Sequence, residues 1–216
     1  MPPFPIMRIL TLLLPLQMLL VALCVVVVRW RLEWSHIGFG PIRWLALLWL
    51  APSITLMAYM VADLTLHLSW EMLREIGWVS LCLLIVVPIL IAFSEEVMFR
   101  GILLRGAMCQ MSTVSAMLMS AAVFASMHAI SGFVVLAFWP TLHQVALTFC
   151  VGLFLAPVAL ALGTLWPLIT WHAAWNFIVF GSELVQVDHP QTLPGLLIQF
   201  IWCLPLWNKA IRTERD

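Results

Sequence analysis

Two adjacent carboxylates, Glu95 and Glu96, follow with Ser94 on the charge-free run from Trp78 to Phe93, and Arg100 comes one helical turn after Glu96. Holding charge in lipid costs about 2.5–3.5 kcal/mol per group on insertion scales, so such residues face a cavity or one another. On a helix Glu96 and Arg100 are four apart and can pair. A buried ion pair that fixes helix position is the simpler reading of those two. Glu95 points about 100° away and lacks that partner. Neighbouring like charges disfavour ionisation of both. An unpaired carboxylate in such a place suits general-base chemistry near neutrality.

Histidine and asparagine supply the remaining chemistry. His128 ends a run of small residues, Ser120 to Met127, of the kind that lets helices approach closely. Alone it would be a hydrogen-bonded packing residue. His172 and Asn176 are one turn apart and share a helix face, and Asn176 is one of two asparagines in the chain. Two donors on one face could serve a single oxygen, as an oxyanion hole requires; an interhelical hydrogen bond would use the same pair. His36, His67, His143 and His189 carry no comparable pattern.

These residues need a scaffold, and composition says what kind. The chain has 216 residues, 64% hydrophobic and 9% charged, with a mean hydropathy of +1.08. Soluble domains carry about 25% charged residues, so the chain is read as a multi-pass membrane protein. Its net charge of zero offers no excess of Lys and Arg for nucleic acid. Seven apolar segments stand out, at 9–28, 44–63, 77–99, 112–131, 143–162, 166–181 and 194–208. Spanning segments of this kind must be helical. The expected fold is therefore an all-α polytopic transmembrane bundle of about seven spans, within a range of six to eight, forming one domain over 1–216.

The first segment, twenty charge-free residues after Arg8, is too long for a signal h-region and is read as a permanent span. The stretch from Leu64 to Gly77 mixes His67, Glu71, Arg74 and Glu75 with apolar residues and is read as an interfacial amphipathic helix. Of twelve tryptophans, Trp30, Trp34, Trp44, Trp70, Trp78, Trp166, Trp202 and Trp207 fall at or near segment ends and are read as interface anchors. The five cysteines form no metal or disulfide pattern. Arg29, Arg31, Arg43, Arg105, Lys209, Arg212 and Arg215 fall on one side, and Arg8 and Arg74 on the other. That bias places the N-terminus outside and the C-terminus in the cytoplasm.

The joint order of these residues is more specific than any one of them. E-E-x-x-x-R at Glu95–Arg100, F-x-x-x-H at Phe124–His128 and H-x-x-x-N at His172–Asn176 resemble the three motifs of the CAAX-processing and bacteriocin-processing (CPBP) membrane protease family. The resemblance covers a protease core at 78–181. It implies an intramembrane endopeptidase in which Glu95 and His128 activate a water and His172 with Asn176 stabilise the oxyanion. Glu96, Arg100 and Phe124 are then supporting residues. It also implies a glutamate-type mechanism without a metal, acting on a protein or peptide substrate. Prenylated C-terminal peptides, secreted peptide precursors and the sorting tails of exported proteins are the candidate classes, and the multi-pass chain is expected in a bacterial inner membrane.

Two alternatives stay open. Glu95, His128 and His172 could form a zinc site with one open position, although the compact HExxH signature is absent. Buried Glu, His and Arg also build proton relays, as in a proton-coupled transporter, but no internal repeat is visible. Depth poses a further question. Glu95 and His128 lie sixteen and seventeen residues either side of Met111, which puts them at one level of a helical hairpin. His172 is only five residues beyond Pro167, so either the hairpin protrudes or tilts, or the loop before His172 dips.

Overall fold

In lipid a backbone has no water to bond to and satisfies itself within helices. The computed structural model, which describes residues 5–130 and 137–214, follows that rule and contains no strand among them. Helix α1 (Pro5–Arg31) leads through a loop and a 3₁₀ segment (Trp44–Leu50) into α2 (Ala51–His67). Helix α3 (Trp70–Glu96) continues through a π-helical segment (Val97–Leu103) into the short α4 (Leu104–Met108). Then follow α5 (Thr113–His128), α6 (Phe138–Leu162), α7 (Trp166–Val185) and α8 (Thr192–Thr213). The fold is an all-α membrane bundle, as composition implied. Arg215 and the last residue of the 112–131 segment lie outside the described residues.

Each apolar segment lies on a helix, but not all are equally suited to span. Among the described residues Pro5–Arg31, Trp44–His67, Trp70–Met108 and Phe138–Leu162 are long and apolar enough to cross a membrane. Helix α5 is apolar but only 16 residues long. Helices α7 and α8 have the length, at 20 and 22 residues, and carry His172, Asn176, Gln199 and Lys209 among their apolar side chains.

Local chemistry sets the breaks. Ser69 caps α3 by accepting from the Met72 amide at 3.2 Å, and Ser112 caps α5 by accepting from that of Ser115 at 3.2 Å. Gly163, at φ 76°, closes α6 in the left-handed conformation, and Pro167 opens α7 immediately after. The expected interfacial helix over Leu64–Gly77 is not a single element. Leu64–His67 completes α2, and Ser69 starts a new helix. Gly77, at φ 69° and ψ 162°, then cuts its first two turns from the rest of α3.

Packing follows small residues and a few buried polar pins. A side-chain carbon on Gly152 of α6 would stand 2.8 Å from the Ala121 Cα of α5, so the small-residue run does bring these two backbones together. Trp171 of α7 donates to the Ser53 hydroxyl at 3.0 Å. The Gln199 amide of α8 accepts from the Ser53 amide at 2.9 Å and donates to the Trp49 carbonyl at 2.6 Å. On the other flank, the Ser94 hydroxyl lies 3.0 Å from the Gln17 amide oxygen of α1. Trp207 departs from its expected place at the interface. It is 9% exposed and donates to the Leu153 carbonyl, because α8 turns that face onto α6.

The depth question has a definite answer. The turn between α6 and α7 docks on the first long loop, where the Leu165 amide donates to the Gly38 carbonyl at 2.7 Å. A side-chain carbon on Gly101 would meet the Ile37 carbonyl at 3.1 Å and the Leu165 side chain at 3.3 Å. Both loops therefore sit level with Gly101, only six residues past Glu95, and the tip of the α4–α5 hairpin extends beyond them. The hairpin protrudes, and that brings His172 to the level of the paired glutamates.

Candidate active site

Glu95 and Glu96 close α3, just where its hydrogen-bond pattern loosens into the π-helical segment. Such segments occur often at functional sites because they re-aim side chains. Here the Phe99 carbonyl accepts both the Leu104 amide, five residues on, and the Ser120 hydroxyl of α5 at 2.9 Å. Motif periodicity contains no signal for this widening. Only Gly101, against which the Ile37 carbonyl and Leu165 are pressed, marks the place.

Glu96 and Arg100 form the pair their spacing predicts. Arg100 donates to the Glu96 carboxylate at 3.0 Å, and both side chains are fully buried. What spacing could not show is the third member. His172 Nδ1 lies 2.8 Å from the same Glu96 oxygen. A carboxylate accepts, so Nδ1 carries the hydrogen. The other ring nitrogen, Nε2, faces Glu95 Oε2 at 3.6 Å. His172 thus bridges the two glutamates. Glu95 is the more accessible of them, with 18% of its side chain exposed.

Phe124 is the hub of the aromatic wall. Its ring lies edge-on to His128, with centroids 5.1 Å apart, and to His172 at 6.1 Å. The Arg100 guanidinium carbon stands 4.1 Å over its face. Two of the Arg100 nitrogens have no hydrogen-bond acceptor among the described residues, and the negative face of the ring partly replaces one. His128 reaches the cluster through this ring. Its Nδ1 lies 3.0 Å from the Phe124 carbonyl, and a carbonyl only accepts. In the neutral ring Nε2 is then the basic nitrogen. Asn176, half-buried, stands one turn from His172 on α7 and makes no side-chain hydrogen bond among the described residues. The structure thus joins Glu95, Glu96, Arg100, Phe124 and His172 directly, brings His128 to them across Phe124, and leaves Asn176 beside His172.

Two further observations bear on the chemistry. No group of three or more His, Cys, Asp or Glu side chains among the described residues is arranged to hold a metal ion. At the far end of α7, Ser182 lies 2.8 Å from His189 Nε2, and His189 Nδ1 lies 3.4 Å from Asp63. That order resembles a nucleophilic triad but is not built as one. Ser182 is 5% exposed and gives its one hydrogen to the Ile178 carbonyl at 2.7 Å, so it accepts from His189. The arrangement ties the α7–α8 loop to α2.

Residues 77–178 match the family model for type II CAAX prenyl endopeptidase Rce1-like proteins. The matched segment contains all three motifs and the side chains of Glu95, Glu96, Arg100, Phe124, His128, His172 and Asn176. Through that segment, a little under half of the chain, it is similar to the CAAX-processing membrane proteases. The match supports an intramembrane endopeptidase of the CAAX-protease type, which acts on a protein or peptide. No curated protein and no solved structure matches the chain.

Proposed function

We propose that this protein is a CAAX-type intramembrane endopeptidase that works by a glutamate mechanism at Glu95, without a metal. The carrying observation is that Glu95 stands, partly accessible, beside a fully buried Glu96–Arg100 pair with His172 between the two carboxylates. Two carboxylates against one guanidinium leave one excess negative charge in a dry setting.

In the proposed step, Glu95 together with His128 Nε2 removes a proton from water as the water oxygen bonds to the scissile carbonyl carbon. The carbonyl oxygen becomes an oxyanion, held by the Asn176 amide and by His172 when its Nε2 carries a hydrogen. The C–N bond then breaks, and the stored proton passes to the leaving amine. Water is the only co-reactant, and the products are a carboxylic acid and an amine. Glu96, Arg100 and Phe124 hold the acting groups in place.

We further place the protein in a bacterial inner membrane, with a C-terminal tail or a peptide precursor as the substrate form. The direct test is comparison of membrane-protein C-termini and released peptides in cells with the wild-type chain and with Glu95→Gln. Loss of a defined set of cleavages in Glu95→Gln and in His128→Ala, with both variants still in the membrane, is the expected result. An unchanged set in either variant refutes the mechanism.

A further inference from the structure

We infer that the phosphate of an anionic phospholipid binds between Arg43 and Arg105, where the first long loop, the α6–α7 turn and the start of the α4–α5 hairpin meet. The site is separate from the catalytic cluster: Arg105 lies ten residues beyond Glu95 on the same helical run.

A short glycine-rich crossing holds the two guanidiniums. Phe39 and Thr164 pair there as an isolated antiparallel bridge. The Leu165 amide donates to the Gly38 carbonyl at 2.7 Å, and the Arg43 amide to the Leu162 carbonyl at 2.9 Å. Gly38, Gly40 and Gly163 fall within this crossing, and two of them, Gly38 and Gly163, have φ of +98° and +76°. Where these side chains are missing, charged groups approach the backbone. Arg105 Nη2 stands 2.7 Å from the point where a side chain on Gly38 would begin, and Arg43 Nε 3.6 Å from the same point on Gly163.

Neither cation has a counter-ion. Among the described residues no carboxylate pairs with Arg43 or Arg105. Arg43 has one long hydrogen bond, from Nη1 to the Leu160 carbonyl at 3.5 Å. Arg105 Nε is buried without an acceptor among those residues, while its two terminal nitrogens are not enclosed. The charge that acts on Arg105 is that of Arg43, another cation. Arg100 is the contrast, since it has Glu96 at 3.0 Å and the Phe124 ring. Guanidinium N–H groups match the oxygens of a phosphate in spacing and charge. One phosphate between the two side chains accepts from both and cancels a repulsion that the polypeptide leaves standing.

Depth decides which phosphate this is. Trp44, next to Arg43, is 72% exposed, and Trp166, next to Leu165, is 56% exposed. Exposed indole rings settle at the headgroup level of a bilayer, so the two guanidiniums lie where lipid phosphates lie. Leu45 and Leu48, on the turn that follows Arg43, are exposed as well and offer an apolar surface to the acyl chains below. Basic pockets at this level take anionic headgroups. The bound phosphate ties the first long loop to the hairpin. Those two elements meet at Gly101 and set the depth at which α7 brings His172 to Glu96, so the lipid acts at a distance on the order of the catalytic cluster.

Thermal unfolding of the full chain in dodecyl maltoside micelles tests this, with phosphatidylglycerol, phosphatidylcholine or inorganic phosphate titrated in. The expected result is a saturable rise in melting temperature with phosphatidylglycerol and none with the other two. Arg43→Gln changes an exposed side chain and leaves the packing intact. It should need about ten- to a hundredfold more phosphatidylglycerol for half the rise, as for the loss of one charge-assisted partner. Arg105→Gln should behave alike. Lys209→Gln with Arg212→Gln, at the end of α8, removes twice the charge of either single change elsewhere in the chain and should leave the titration as it is. The inference is overturned by no rise with phosphatidylglycerol, by an equal rise with phosphatidylcholine, or by an unchanged titration in Arg43→Gln. An equal loss in the Lys209 and Arg212 double variant overturns it too, since diffuse charge then suffices. A rise with inorganic phosphate alone assigns the pair to a free anion and overturns the lipid. Melting does not require turnover, so none of these outcomes depends on the protease reading, which falls instead if solubilised protein shows no Glu95-dependent cleavage.

Discussion

His172 Nδ1 approaches Glu96 Oε1 to 2.8 Å, on the same carboxylate oxygen that Arg100 holds at 3.0 Å. One buried oxygen therefore orients a helix α7 side chain through an ion pair internal to the α3 end. Because Nδ1 is committed to Glu96, Nε2 is the ring nitrogen turned to Glu95 and the cleft. In the proposed mechanism Glu96 is thus a positioning residue: it sets the tautomer and tilt of His172.

Removing one half of the buried pair is expected to cost more than removing both. Arg100→Met leaves the Glu96 charge unpaired in a dry site, and a loss of about 3–5 kcal/mol is expected. Glu96→Gln with Arg100→Met keeps the volume and removes both charges, so it should recover much of that loss. Thermal unfolding in detergent measures both. Equal destabilisation by the single and double changes would mean that the pair is not coupled.

Asn176→Ala is expected to lower kcat by about 10²–10³, as for loss of one oxyanion donor, with little change in KM. Steady-state cleavage of an identified substrate provides the split. A change confined to KM would assign Asn176 to substrate binding instead.

Phe124→Leu keeps an apolar side chain but removes the ring face beneath Arg100 and the edge that separates His128 from His172. About 1–2 kcal/mol of stability should go with it, and activity should fall further than stability, because both histidines lose a shared neighbour. Melting temperature and turnover measured on one preparation decide whether the two effects separate.

Gly152→Val tests the α5–α6 approach. The added side chain would collide with the Ala121 backbone at 2.8 Å, and overpacking of this kind costs about 1–3 kcal/mol. A Gly152→Val protein with unchanged melting temperature would show that these helices can separate freely.

Activity is expected to survive chelation. No metal-holding group of three or more side chains exists among the described residues, and the proposed step uses only carboxylate, imidazole and amide. Assay after phenanthroline or EDTA treatment checks this. Inactivation reversed by zinc would instead make Glu95, His128 and His172 ligands.

By itself the sequence determined what is local. A charge-poor chain must be helical in lipid, Glu96 and Arg100 four apart on a helix must meet, and His172 and Asn176 must share a face, because 3.6 residues per turn leaves no alternative. The run of small residues before His128 likewise announced a close helix contact, and Gly152 receives it. Tertiary structure decided everything that depends on depth and on contacts between distant segments. His172 and Glu96 are 76 residues apart, and they meet because the α6–α7 turn docks at Gly101 while the hairpin runs past it. The π-helical segment, the break at Gly77 and the burial of Trp207 likewise arise from neighbours that helical periodicity does not name.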